Sequence, residues 1–419
     1  MNVLADHSRS PSYRFASRAR VNEARLPDLP ADLIDFSGGF AFPDCLPDIT
    51  REATAAAAEF RTETMQYSDV LGIGELRELI ALQARQDGVR CSPENVMIVN
   101  GAKHGLDLAC RVFLEPGDRV IVTAPTYMTA LGILRSHEAA FLSVGQDEAG
   151  IRTDDLETQL LAIEAAGEAL PKLMFDVPDF HNPTGITTSA ERRRKLVDLA
   201  ERFGFVIVED DPYRRIRFEG EAVPPIKSFD AKGVVIALGT ASKIVAPGLR
   251  VGWVIATAEI LRRMAGQKAD GGTSPFNQRI FIELLRGNQI GHHIDELTAE
   301  LRRHRDAMVS ALRDLIPDCR IRVPQGGYFL WVGLPPDVDA DLLAGFGAQH
   351  GVKTYPGRLC FPDEPRENAL RLCYSFSDPA RIGEGVRRLA AAHHTIRSRA
   401  LDDRAKASAL EAASGLATY

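Results

Sequence analysis

Between Val96 and Ile255 the chain repeats one pattern. A short apolar run ends in polar or glycine-bearing residues, and an amphipathic stretch then leads to the next run. The runs are Val96–Val99, Arg119–Val122, Leu173–Phe175, Phe205–Val208, Val234–Ala237 and Gly252–Ile255. Their apolar residues are consecutive rather than alternate, which suits strands buried on both faces. Such strands belong to mostly parallel sheets covered by helices. Stretches such as Lys103–Leu114 and Ser189–Phe203 read as those helices. The pattern predicts an α/β unit over residues 61–285, with a mostly parallel central sheet.

After Asn288 the rhythm changes. A long charged helix over Ile294–Leu315 precedes Gly326–Trp331, and strand-like pieces at Val352–Tyr355 and Leu370–Tyr374 precede a last helix. Residues 286–400 therefore read as a smaller α+β domain, joined in space by residues 31–60. Residues 1–30 read as an arm, and 401–419 as a tail that is a frayed helix or disordered.

With 50 Lys+Arg against 57 Asp+Glu, the formal charge is −7, which disfavours a nucleic-acid partner. No apolar run approaches the ~20 residues of a membrane span, and the first residues lack the apolar core of a secretory signal. Six cysteines without a C-x-x-C pair argue against a disulfide scaffold and for the cytoplasm. His292 and His293 have no second ligand set at metal spacing, so no metal is expected.

Ligands of an open α/β sheet gather at the carboxyl ends of its strands. The residues there form a chemically coherent set. Gly101, Ala102 and Lys103 open a helix whose free N–H groups would seat an anion. Thr240 and Ser242 supply hydroxyls and Arg250 a forked cation to the same anion. Asp210 could hold a proton on a ring nitrogen, Asn182 and Tyr213 could bond a ring oxygen, and Tyr127 could stack on the ring. Lys243, partly desolvated beside Arg250, could form an imine with an aldehyde. Together they describe a pyridoxal 5'-phosphate site. Plainer readings apply to their neighbours. Asp211 reads as a turn cap, Lys103 and His104 as solvated helix-start side chains, Cys373 as a packing thiol, and Arg192–Lys195 as an exposed helix face.

The strings Pro178–Gly185, Val208–Tyr213 and Thr240–Trp253 carry a resemblance. Over about Asp35 to Leu389 the chain resembles the class I/II aminotransferases of fold type I. Within them it looks most like the 2-aminoadipate/multisubstrate group, whose catalytic domain MocR-type regulators share. The resemblance implies an enzyme that moves an amino group between an L-amino acid and a 2-oxo acid by way of pyridoxamine phosphate. By it, Lys243 holds the cofactor covalently and shuttles the proton, while Asp210 pairs the ring nitrogen. Tyr213 and Asn182 bond the 3'-oxygen, Arg371 clamps the substrate carboxylate, and Gly39 belongs to a loop close to the substrate. Tyr67 matches a tyrosine that a homodimer donates to the neighbouring subunit's phosphate.

The chain departs from that family at Asn100–His104, where a lysine stands beside the phosphate seat, and at the bulky loop Phe40–Phe42. Phe40, Phe42 and Tyr328 hint at an apolar or aromatic substrate. The bulky loop keeps other outcomes of the same cofactor open: decarboxylation, elimination, cyclisation, racemisation or oxidation. A MocR-like sensor is the remaining alternative, and residues 1–30 are too few for its winged helix.

Overall fold

The computed structural model describes residues 32–416 apart from 288 and 366, with side chains described as far as 398. The arm expected over 1–30 lies outside the described residues. After a short strand β1 (Ile34–Asp35), the chain builds an eight-stranded sheet. Its strands are β2 (Val96–Val99), β3 (Arg119–Ala124), β4 (Ala140–Asp147), β5 (Gly150–Ile151), β6 (Leu173–Asp176), β7 (Val206–Asp211), β8 (Val235–Thr240) and β9 (Gly252–Ile255). Their order across the sheet is β2-β9-β8-β7-β6-β3-β4-β5.

From β8 to β4 every pairing is parallel. Along β6 and β7 successive side chains enter different cores: Met174 and Ile207 join one apolar cluster, Phe175 and Val208 the other. That two-sided burial is why these runs are apolar at every position. The helix Ala190–Phe203 covers one face with Leu196, Val197, Ala200 and Phe203. Ser189 accepts a hydrogen bond from the Arg192 N–H at its start, and Gly204, at φ +77°, ends it. The helix Ala102–Phe113 packs Leu106 and Ala109 into the other cluster.

Two strands depart from the expected series. β9 runs antiparallel to both β8 and β2. The link from Thr240 to Gly252 holds only a 3₁₀ turn at Pro247–Leu249, and a parallel return needs a longer crossover. β4 was missed because only Val144 along it is fully buried, so it carries no continuous apolar run.

The later chain forms a four-stranded antiparallel sheet of order β10-β11-β14-β13. These are β10 (Arg320–Ile321), β11 (Phe329–Gly333), β13 (Tyr355–Pro356) and β14 (Ala369–Cys373), while β12 (Val352–Lys353) pairs with β1. The long helices Gln289–Leu315 and Pro379–Leu416 pack on each other, so the segment 401–416 continues the last helix. The helix Thr50–Ala58 packs on Pro275–Arg286. Tyr328 and Phe329 share an apolar cluster with Val208 and Leu238, so the two sheets meet through one core. Among the described residues no helix is long and apolar enough to cross a membrane, and all six cysteines are unpaired.

The basic run at 192–195 is not uniformly exposed. Arg193 is fully buried, 3.0 Å from Asp179, and donates to the carbonyls of Thr188, Pro178 and Pro224. The helical period turns this one position inward. Arg193→Met would take the side-chain donor from the Thr188 and Pro224 carbonyls, while Pro178 keeps the Thr188 N–H, and would leave Asp179 with Arg217 alone. We expect a loss of about 3–5 kcal/mol in urea unfolding; a loss under ~1 kcal/mol would contradict this account.

Candidate active site

The carboxyl ends of β6, β7 and β8, the helix start after β2, and β14 of the second sheet enclose a cavity of about 440 Å³. Every site residue expected from the sequence lines it except Tyr67.

One end is built to hold an anion. The helix Ala102–Phe113 begins after Gly101 with no side-chain cap, which leaves its first N–H groups to a ligand. Gly101 stands at φ +87°, and a Cβ there would meet Arg250 Nη2 at 2.9 Å. Arg250 itself stands at φ +53° and donates to the Asn100 carbonyl at 2.8 Å. Thr240 Oγ1 and Ser242 Oγ lie 2.9 Å apart, and the Ser242 N–H donates to Thr240 Oγ1. The cation, the hydroxyls and the helix start suit a phosphate. Lys103 is exposed as expected. His104 is not fully solvated, because its Nδ1 accepts from the Asn100 N–H at 3.2 Å.

The middle holds Asp210. The alternation of β7 sends Asp210 into the cavity, while Glu209 and Asp211 face the opposite side of the sheet. Asp211 acts as the expected turn cap, accepting from the Arg214 N–H at 3.3 Å and from Nε at 2.7 Å. Asp210 Oδ1, by contrast, is buried with no hydrogen-bond partner. Burial first, and the neighbouring Asp211 second, push its carboxyl up to about 7, with Lys243 opposing. A lone buried carboxylate is costly. A protonated pyridine nitrogen is the partner this oxygen lacks, so the residues present fit the expected cofactor. Tyr213 is buried beside it, edge-on to Phe329 at 5.9 Å, and burial holds its phenol well above the ordinary range.

Lys243 reaches across to the N-terminal loop, donating to the Gly39 carbonyl at 2.6 Å. Burial lowers its amine to about 8, and Lys103 and Arg371 push the same way. A large fraction of this amine is therefore neutral near pH 8, as a nucleophile requires. A Cβ on Gly39 would lie 2.9 Å from the Phe329 ring and 3.6 Å from Lys243 Nζ, so only glycine lets the loop approach this closely.

The far end is built around Arg371 in β14, which is buried. Its guanidinium lies between the rings of Phe329 and Tyr355, at 4.5 and 4.6 Å. Nη1 donates to Asn182 Oδ1 at 3.0 Å and Nη2 to the Ser37 carbonyl, while Nε is buried without a partner. The stacked plane and the spare donor suit a forked grip on a carboxylate.

Tyr67 is 85% exposed and stands outside the cavity. Phe42 packs edge-on against His304 at 4.7 Å. Tyr328 lies behind Lys243, its O–H donating to the Lys243 carbonyl at 2.8 Å. Both are packing residues, which leaves Phe40 alone of the three aromatics on the cavity wall. Sequence reading missed Ser37, Met128, Phe329 and Tyr355 as lining residues. Tyr355 faces Arg371 across β13 and β14, a pairing that no local motif announces.

The family described as "Aminotransferase class I and II" matches residues 32–389. Aromatic-amino-acid aminotransferase 1 of Thermococcus litoralis is 36% identical over 367 residues, covering 86% of this chain and 88% of that protein. The 2-aminoadipate transaminase of Thermus thermophilus is 35% identical, over 85% and 89% of the two chains. A solved multiple substrate aminotransferase from Thermococcus profundus superposes with a TM-score of 0.86 at 35% identity, over 92% of this chain and 98% of that one. A match of this length, laid over a cavity with these groups in place, means that the chain belongs to the class I and II aminotransferases.

Proposed function

We propose that this pyridoxal phosphate-dependent aminotransferase works through the residues of the 440 Å³ cavity. The observation that carries the assignment is the convergence of an unpartnered buried carboxylate, an amine of lowered pKa and a stacked arginine in one space. When bound, the cofactor supplies an aldehyde and an electron-withdrawing ring that takes up the electron pair left at the substrate's Cα.

The chain does the rest. Lys243 would hold the cofactor at its aldehyde and, as a general base, would move the proton from the substrate's Cα. Asp210 keeps the ring nitrogen protonated, since a carboxylate buried there stays charged only beside a cation. Tyr213 and Asn182 hydrogen-bond the ring oxygen, and Tyr127 packs on the ring. Gly101, Ala102, Lys103 (through its backbone N–H), Thr240, Ser242 and Arg250 hold the phosphate. Arg371 orients the α-carboxylate, and the loop at Gly39 closes over the substrate. Phe40, Met128 and Tyr355 stand on the wall with Val177, Pro212 and Phe329, which favours donors with uncharged, apolar or aromatic side chains. Residues 61–285 act as the cofactor domain and 286–400, with 31–60, as the smaller domain.

The enzyme works as a homodimer in which Tyr67 reaches the partner subunit's phosphate. Its exposure and its distance from its own cavity support that reading. The six unpaired cysteines support a reducing cytoplasm.

Adding L-phenylalanine to the holoenzyme without any 2-oxo acid should convert the cofactor's aldehyde absorbance to that of its amine form, and Lys243→Ala should abolish the change. Failure of every amino donor to do so would overturn the reading. Arg371→Lys keeps the charge but loses the fork. We expect kcat/KM for the donor to fall roughly 100-fold, the worth of one to two charge-assisted hydrogen bonds; a change under ~3-fold would refute the clamp. Tyr67→Phe should weaken cofactor binding about tenfold, measured by equilibrium dialysis, with the dimer intact by sedimentation. Unchanged affinity would remove Tyr67 from the site.

A further inference from the structure

Away from the cavity, Asp318 and Cys319 form the turn between the helix Gln289–Leu315 and β10, and His393 faces them from the last helix. A carboxylate oxygen, the thiol sulfur and a ring nitrogen of these residues lie within 4.8 Å of one another. None of the three lines the cofactor site.

Asp318 Oδ1 and His393 Nε2 are 3.6 Å apart, too far for a hydrogen bond. Two ligand atoms held ~2.0–2.1 Å from one tetrahedral ion stand about 3.4 Å apart. His393 is 7% exposed, and its Nε2 is buried with no hydrogen-bond partner. The other oxygen of Asp318 is held by Arg397, whose second nitrogen reaches Asp337 at 3.3 Å. Arg397 therefore turns Oδ1 toward the histidine, and its own charge is offset by two carboxylates.

We propose that Asp318, Cys319 and His393 form a zinc site that ties the turn after one long helix to the other. Thiolate, imidazole and carboxylate together select zinc over magnesium or calcium. Three protein ligands leave a fourth position for water. Cys319 is a free thiol. Binding breaks the S–H bond, forms the zinc–sulfur bond and releases the proton to solvent, with no change of oxidation state.

The test uses the holoenzyme dialysed against a chelator and titrated with Co²⁺. We expect the visible bands of tetrahedral cobalt, red of the cofactor's absorbance, to saturate at one ion per chain and to vanish on adding Zn²⁺. Cys319→Ser should lose the thiolate-to-cobalt charge transfer, and His393→Gln should bind at least about tenfold more weakly. Both should keep transamination within about twofold. If either variant fails to fold, the cobalt spectrum of the unaltered enzyme and of Asp318→Asn decides the matter. Absence of the tetrahedral bands, or equal binding by the variants, would overturn the site and leave only adventitious metal on surface histidines such as His292.

Discussion

One oxygen of Asp210 is buried where no group of the chain satisfies it, and the active site is organised around that deficiency. A charged carboxylate in such a place costs several kcal/mol unless a cation meets it. Burial, aided by Asp211, drives the carboxyl toward neutrality against the opposing charges of Lys243 and Lys103. In the proposed function a protonated pyridine nitrogen would reverse that balance, each charge stabilising the other in a space that water does not screen. The carboxylate is a cost to the free protein, and under the proposed function it would be the recognition element for a heteroaromatic base.

The same space is completed by chain from far away. The loop at Ser37–Gly39 meets Lys243 from the turn after β8 and Arg371 from β14, and Asn182 ties Arg371 back to the larger sheet. Phe329 touches several parts at once. Its ring packs on Tyr213, flanks Arg371 and limits position 39 to glycine. Aromatic walls hold the guanidinium plane and lower the local dielectric, which strengthens its grip on a carboxylate. The pieces that bind the ring and those that bind the substrate therefore depend on one another's packing.

Much of this was legible in the chain itself. Runs such as Phe205–Val208 are apolar at every position because both faces of the sheet are covered. Local turn chemistry marked the polar residues that follow them, so Asp210, Lys243 and Arg250 stood out by position as well as by type. Asp211 read as the turn cap beside Asp210, and the alternation of β7 in the structure sets the two on opposite faces. What misled was equally physical. The antiparallel β9 has the same apolar character as a parallel strand, since burial rather than direction sets composition. Arg193 lies in a basic run, yet the helical period buries it against Asp179.

Side-chain type and local spacing, then, determined from sequence alone the α/β layering, the anion seat after β2, and the lysine and aspartate at the ends of adjacent strands. These follow from short-range rules: hydrophobic period, helix starts and the turn chemistry that follows each strand. The tertiary structure alone decided that Phe42 and Tyr328 are packing while Phe329 and Tyr355 enclose Arg371. It also decided that Asp318 and Cys319 face His393, and that Tyr67 stands clear of its own cavity. Those outcomes depend on register between distant strands and on helix–helix packing, where contacts join residues whose separation along the chain carries no periodic signal.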